Sequence, residues 1–247
     1  MDEPNGADTF HALESLKLLG ALEPDTETAS FLKLGQEADG SFDSVEAAYF
    51  IIGGLSALGE KVDKDPARYL QSKMRMDKVE NLPVWQTSAF ERLFRLADAC
   101  ITMNVPFSDE VKEKMACEIL RMENPDGGFG HKCSTLVETA HALYVLNWLI
   151  SGVDALPARS FVDMCQDQNS GYVNIPGLST SFLEHVYAGV TASHLLNDPP
   201  RYRQKCINFI EFCQRANGGF TRATMDGIPT LGYTYLAIHG LSLLDAL

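Results

Sequence analysis

The chain repeats itself with a period of roughly 45 residues, and a sequence of that kind folds by stacking similar units against one another. Four stretches read small or polar residue, glycine, aromatic: Asp39-Gly40-Ser41-Phe42, Asp126-Gly127-Gly128-Phe129, Asn169-Ser170-Gly171-Tyr172 and Asn217-Gly218-Gly219-Phe220. Their aromatics are spaced 87, 43 and 48 residues apart. The wide gap spans two periods, with Trp85 near its middle marking a degenerate copy. Gln36, Gln166 and Gln214 stand shortly before three of the turns.

Between the turns the apolar spacing is helical. A moderate helix is expected before each turn, at about 26–36, 65–74, 108–122, 158–166 and 200–215. A more apolar helix follows each, at about 44–59, 86–104, 135–151, 180–197 and 228–245, and another opens the chain at about 7–21. No strand-like alternation persists. The apolar helices begin in phase. Asp43-x-x-Glu46, Ser88-x-x-Glu91, Thr135-x-x-Glu138 and Ser181-x-x-Glu184 match a capping box, and Thr230-x-x-Tyr233 holds the same place in the last copy. In that motif the side chains at the cap and three residues on satisfy free N–H groups of the first turn.

Six apolar helices interleaved with five amphipathic ones predict an all-α fold, and helices apolar nearly all round are expected where a helix is enclosed on several sides. A closed α/α toroid satisfies both, with six inner and five to six outer helices. It forms a single domain over 1–247 with units at roughly 1–25, 26–64, 65–107, 108–156, 157–199 and 200–247.

Charge narrows the function. Twenty Lys and Arg against 33 Asp and Glu leave a net charge of −13. Nucleic-acid binding and attachment to anionic lipid both need clustered cations, and none occurs. No apolar run reaches the roughly 20 residues that span a bilayer, the first residues lack the pattern of a secretory signal, and the six cysteines form no CxxC pair. These features predict a cytoplasmic protein with reduced thiols.

The Gln…Gly-Gly-aromatic turn followed by a Thr- or Ser-capped apolar helix resembles the repeat of protein prenyltransferase β subunits and squalene/hopene-type terpene cyclases. The segment from Tyr233 to Leu244 resembles the closing helix of the former. The resemblance implies a funnel lined with aromatics that holds an isoprenoid chain, and a possible helical α-type partner subunit. It also implies catalytic equipment that can be sought residue by residue. The zinc ligands of protein prenyltransferases, an Asp, a Cys two residues later and a His on the closing helix, fall here on Phe182, Glu184 and Tyr233. Phe and an ordinary Tyr are not zinc ligands, so no metal or other cofactor is expected. The DxDD acid motif of the cyclases does not occur.

Positions one, four, five and eight of each apolar helix share a face. Given the resemblance, that face looks into the cavity and presents Glu46, Tyr49, Phe50, Gly53, Glu91, Phe94, Arg95, Asp98, Glu138, His141, Val145, Glu184, Tyr187, Thr191, Tyr233, Leu236 and Gly240. Substrate contacts are expected from Tyr49, Phe50, Phe94, Arg95, His141, Tyr187, Arg222 and Leu236. A buried carboxyl among aromatics suits protonation of an alkene or epoxide. Asp98 is the first candidate acid, with an Arg95–Asp98 pair as its structural alternative, and Glu184, Tyr233 and Asp226 follow. Each rim glutamate has its own alternative, a carboxylate that folds back on its helix. His131 and Cys133 make too few ligands for a metal site, and His185 and His239 read as hydrogen-bonded packing residues. The loops from turn aromatic to helix lengthen along the chain, from 4 residues (Phe42 to Glu46) to 13 (Phe220 to Tyr233), placing the site in the C-terminal half. An isoprenoid enzyme and a non-catalytic toroid that binds a lipid, peptide or protein both fit these features.

Overall fold

The computed structural model describes residues 5–74, 88–225 and 227–247. Trp85 and Asp226 lie outside the described residues. The chain divides into two compact units, Met1–Ser108 and Asp109–Leu247.

In the first unit, α1 (Gly6–Leu18), α3 (Val45–Ala57) and α5 (Ala89–Thr102) form a row, with α3 packed between the other two. The short α2 (Thr26–Lys33) and α4 (Ala67–Lys73) cover α3 and α5 respectively. The second unit repeats the plan. Here α9 (Leu183–Leu195) packs between α7 (Leu136–Leu149) and α11 (Leu231–Leu243), and α6 (Asp109–Leu120), α8 (Ala158–Met164) and α10 (Arg203–Phe212) form the covering layer. The apolar and amphipathic helices alternate as the sequence predicts, each ending a few residues earlier than the apolar pattern does.

The helices start where polar caps allow. Ser88, Thr135 and Thr230 accept the backbone N–H three residues on, from Glu91, Glu138 and Tyr233. Two caps differ from expectation. At α3 the cap is Ser44, not Asp43, and it accepts from Ala47 N at 3.0 Å. At α9 the cap is Phe182, which offers no side-chain acceptor, and His185 Nδ1 accepts the Phe182 N–H instead. The Ser181 hydroxyl donates to the Tyr172 carbonyl at 2.6 Å. Glu46 and Glu184 are thereby released from capping.

The turns are small clasps. β1 (Gln166–Asp167) and β2 (Gly171–Tyr172) pair antiparallel, the one departure from an all-helical reading. Bridges from Glu123 to Phe129 and from Gln214 to Phe220 reproduce that pairing in neighbouring copies. Gly40, Gly127, Gly171 and Gly218 all take φ between 85° and 89°, where an L residue is strained. The recurring glutamine joins consecutive copies. Gln36 receives Lys64 N and donates to Lys64 O, both at 2.9 Å, and Gln166 receives Arg201 N at 2.7 Å. The turn aromatics anchor each clasp in the core, Phe129 and Tyr172 being fully buried. Burial of such a ring is worth about 2–3 kcal/mol.

At the opposite helix ends, arginines take the free carbonyls. Arg159 donates to Leu196 O at 2.7 Å and pairs with Asp198, and Arg203 donates to Leu244 O. A cation there also suits the negative end of the helix dipole. All six cysteines are free thiols, four of them buried, and burial pushes Cys100, Cys165 and Cys206 up to about 12. Among the described residues no helix is long and apolar enough to cross a membrane.

Candidate functional site

In the first unit the site centres on Arg95. Its guanidinium contacts Glu91 at 2.5 Å and Glu46 at 3.5 Å, and lies 5.4 Å from the centre of the Phe50 ring. Helical spacing gives the Glu91 contact, one turn back on α5, whereas Glu46 arrives from α3 because Ser44 has taken over the cap. Behind this cluster the rings of Phe10, Tyr49, Phe50 and Phe94 are linked through centroid separations of 5.0–5.9 Å. Phe50 and Phe94 are half-buried and Tyr49 is buried. Gly53, counted on the open face, lies beneath the Phe10 ring, so α1 covers that stretch of α3. Asp98 is half-buried two turns along α5 from Glu91. His11, beside Phe10 and Phe50, is held below the usual histidine pKa by burial.

In the second unit the corresponding cluster centres on Arg222, in the loop after the last turn. Its Nε donates to Glu184 Oε1 at 2.7 Å, its Nη2 lies 2.6 Å from the same oxygen in an ion pair, and its guanidinium carbon sits 4.0 Å from the centre of the Phe182 ring. The Arg222 carbonyl accepts the Leu183 N–H at 2.8 Å, so backbone and side chain both pin this loop to the start of α9. Asn174 does the same one copy earlier, taking Val137 N on its side chain and Leu136 N on its carbonyl. The hydrogen bond that Arg222 donates to Glu184 raises the Arg222 pKa further. The second Glu184 oxygen, Oε2, is buried and accepts no hydrogen bond. Tyr233, half-buried, has its pKa raised by burial and then by the Glu184 charge. Burial lowers that of His185, leaving a neutral imidazole at pH 7.

Glu138 accepts the Thr135 hydroxyl at 3.0 Å rather than the backbone N–H that its motif implies, that N–H going to the Phe129 carbonyl, and burial raises its pKa. Deeper on the same side, the hydroxyls of Tyr187 and Tyr235 meet the single His239 Nδ1 at 3.0 and 3.2 Å. All three side chains are half-buried, as are His141 and Leu236, while Val145 is buried. The structure therefore brings Tyr187 together with Tyr235 and His239 and gathers Phe182, Glu184, Arg222 and Tyr233.

Residues 43–247 match the family model described as the prenyltransferase alpha-alpha toroid domain. The chain belongs to this family. Its fold is shared with the Candida albicans protein geranylgeranyltransferase-I complexed with GGPP, at 15% identity and a TM-score of 0.70 over 97% of this chain and 84% of that one. It is also shared with ent-copalyl diphosphate synthase from Streptomyces platensis, at 13% identity and a TM-score of 0.63, where 98% of this chain covers half of the longer protein. No curated protein matches in sequence. The expected α/α-toroid class is thus the family's own.

A zinc ion of the kind found in protein prenyltransferases does not fit the residues present. The three corresponding positions do converge, but they offer a phenyl ring, a carboxylate already bonded to Arg222 and a phenol. Among the described residues no three His, Cys, Asp or Glu side chains could hold a metal ion. The sequence reading missed two features of this site. One is the Glu184–Arg222 pair, which its phase could have revealed: Arg222 and Asn174 each lie two residues after a turn aromatic. The other is the meeting of Tyr187 and Tyr235 at His239, hidden because α11 is apolar on every side.

Proposed function

We propose that this toroid binds an isoprenoid and acts as a prenyltransferase-like or terpene-cyclase-like protein of the cytoplasm. The observation that carries the reading is the pairing, in each unit, of a half-buried aromatic surface with a polar rim at the starts of the helices. Phe50 and Phe94 lie behind Arg95 in the first unit. In the second, Tyr187, Tyr235 and Leu236 are on the helices that carry Glu184 and Tyr233. Apolar walls with a few convergent polar groups are what a long hydrocarbon with one polar end requires. Family membership and the GGPP named for the Candida protein support the same ligand class. In a cyclase version Asp98 is the group best placed on the aromatic face to protonate an alkene. Free thiols throughout support a reducing compartment.

A helical partner subunit is supported by a separate observation. Met164, Leu178, Phe212, Met225, Ile228 and Leu231 are all exposed and all lie on the turn loops or the helix ends beside them, in the second unit. Exposed apolar side chains that recur at the turn end of successive hairpins support a surface that another chain covers.

The test is a thermal-shift series with farnesol, geranylgeraniol and their diphosphates. A ligand that binds only the native state raises the melting midpoint. At least one prenyl compound should raise it in a saturable way, with shorter chains less effective. No shift from any of them at high concentration refutes isoprenoid binding and leaves the family's fold without this use.

A further inference from the structure

We propose that Arg222 is the resident cation of the rim in the second unit, and that the site it forms takes a ligand with an uncharged oxygen head rather than a metal ion or a diphosphate. The head-group half of this proposal rests on the isoprenoid reading above; the resident-cation half does not.

The place of a metal is taken. Glu184 is the only ionisable group at the three converging positions with an oxygen suited to a divalent ion, and its Oε1 accepts the Arg222 Nε N–H and is ion-paired with Nη2. Phe182 fills the next position and carries the guanidinium on its ring face at 4.0 Å, a contact that favours a delocalised cation over a hydrated metal ion. The loop is not free to withdraw Arg222, because the same residue's carbonyl holds Leu183 N. On its other side, Arg215 fastens the loop by donating to the carbonyls of Ala223 and Thr224.

Local charge then selects the head group. A guanidinium carries five N–H donors, and the pair with Glu184 engages the one at Nε and holds Nη2 against the same oxygen, leaving donors directed away from the carboxylate. Arg222 and Glu184 sum to zero, and the neighbouring Tyr233 and His185 are neutral at pH 7. An alcohol or carbonyl oxygen can accept from the remaining donors with the pair intact. A diphosphate must compete with Glu184 for the same cation, within a chain of net charge −13. The arginine of the first unit is offset in the same way within its own unit, since Arg95 faces two carboxylates.

Two measurements decide the matter. In the first, purified protein is incubated with excess zinc, desalted and assayed for metal. Substoichiometric zinc is expected. One zinc per chain, lost in Glu184→Gln, overturns the resident-cation assignment whether or not any isoprenoid binds. In the second, calorimetric titration in EDTA compares farnesol with farnesyl diphosphate. The wild type should prefer farnesol. Glu184→Gln removes the competing charge without changing shape and should raise affinity for the diphosphate about tenfold or more. Arg222→Gln should weaken farnesol, with circular dichroism confirming that the fold persists. A wild type that prefers the diphosphate, or an Arg222→Gln protein that binds farnesol as well as wild type, overturns the head-group assignment. If neither compound binds and other prenyl compounds also fail, it is the isoprenoid reading that has failed, and the zinc result still stands on its own.

Discussion

Gly127 and Gly218 occupy equivalent places in two repeats, at φ of 85° and 86°. The surroundings differ. A methyl group on Gly218 would meet nothing within 4 Å. On Gly127 it would stand 2.7 Å from the Pro157 carbonyl oxygen and 2.9 Å from its carbon, main-chain atoms directly ahead of α8 that cannot swing aside. Alanine at either position is forced into left-handed backbone, at about 1–2 kcal/mol. At Gly218 that is the whole effect. At Gly127 overpacking against backbone adds about 1–3 kcal/mol. For a protein of this size each kcal/mol lowers the melting midpoint by about 2–4 °C, so Gly127→Ala should melt roughly 2–12 °C below Gly218→Ala. Far-UV circular dichroism on the two purified variants measures the difference directly. Equal losses would refute the reasoning, because they would mean that the turn glycine is needed for its φ alone and that the close approach of one repeat to the next imposes nothing.

Two further outcomes follow from buried polar groups. Tyr172→Phe removes a hydroxyl that bonds Ser193 Oγ at 2.6 Å in the core and should cost about 1–2 kcal/mol in urea unfolding. Adding Ser193→Ala should restore part of that loss, because no polar atom is then left without a partner; a single variant as stable as wild type contradicts the account. The pKa of His239 is lowered by burial and, secondarily, by His194. The unfolded chain therefore binds its proton first as pH falls, so the stability contributed by the neutral ring is present above the ordinary value of 6.5 and is lost below it. The midpoint should decline between pH 7.5 and 5.5 less steeply in His239→Asn than in wild type; parallel slopes would remove His239 as a cause.

The repeat, the helix order and the turn glycines were legible because each is a local signal repeated several times, and repetition suppresses chance. Ser88, Thr135 and Thr230 could be recognised as caps for the same reason. The destinations of the rim glutamates were not legible. A capping box is a relation across three residues, whereas the partners that Glu46 and Glu184 take up are Arg95 and Arg222, reached only once helices and loops have stacked. Glu138, whose Thr cap stays in place, kept a local partner, the Thr135 hydroxyl in place of the backbone N–H. Orientation about the helix axis failed for a second reason. α5 mixes polar and apolar residues sharply, so its sequence tells its faces apart. α11 is apolar all round, and Tyr235 and His239 could not be told from core by periodicity.

The two rims reach similar chemistry by different routes, and this bears on what the site is for. In the first unit the arginine comes from a helix and is braced by Glu46 and Glu91; in the second it comes from a loop and is braced by Glu184. Both guanidiniums lie against a phenyl ring, Phe50 or Phe182. Simple helix capping does not account for this, since it would have kept Glu46 and Glu184 at home. Nor does stability alone give a strong reason, because exposed ion pairs contribute only about 0–1 kcal/mol. What the arrangement does achieve is to keep hydrogen-bond donors at the rim with little or no net positive charge. The Arg222 cluster is neutral and the Arg95 cluster carries one excess negative charge. Such rims discriminate against anions while still offering N–H groups to an oxygen acceptor. On the isoprenoid reading proposed above, the glutamates of each rim, which sequence alone reads as ordinary helix starts, would govern the choice of a ligand's head in their own unit, and the aromatic helices behind each rim the choice of its tail.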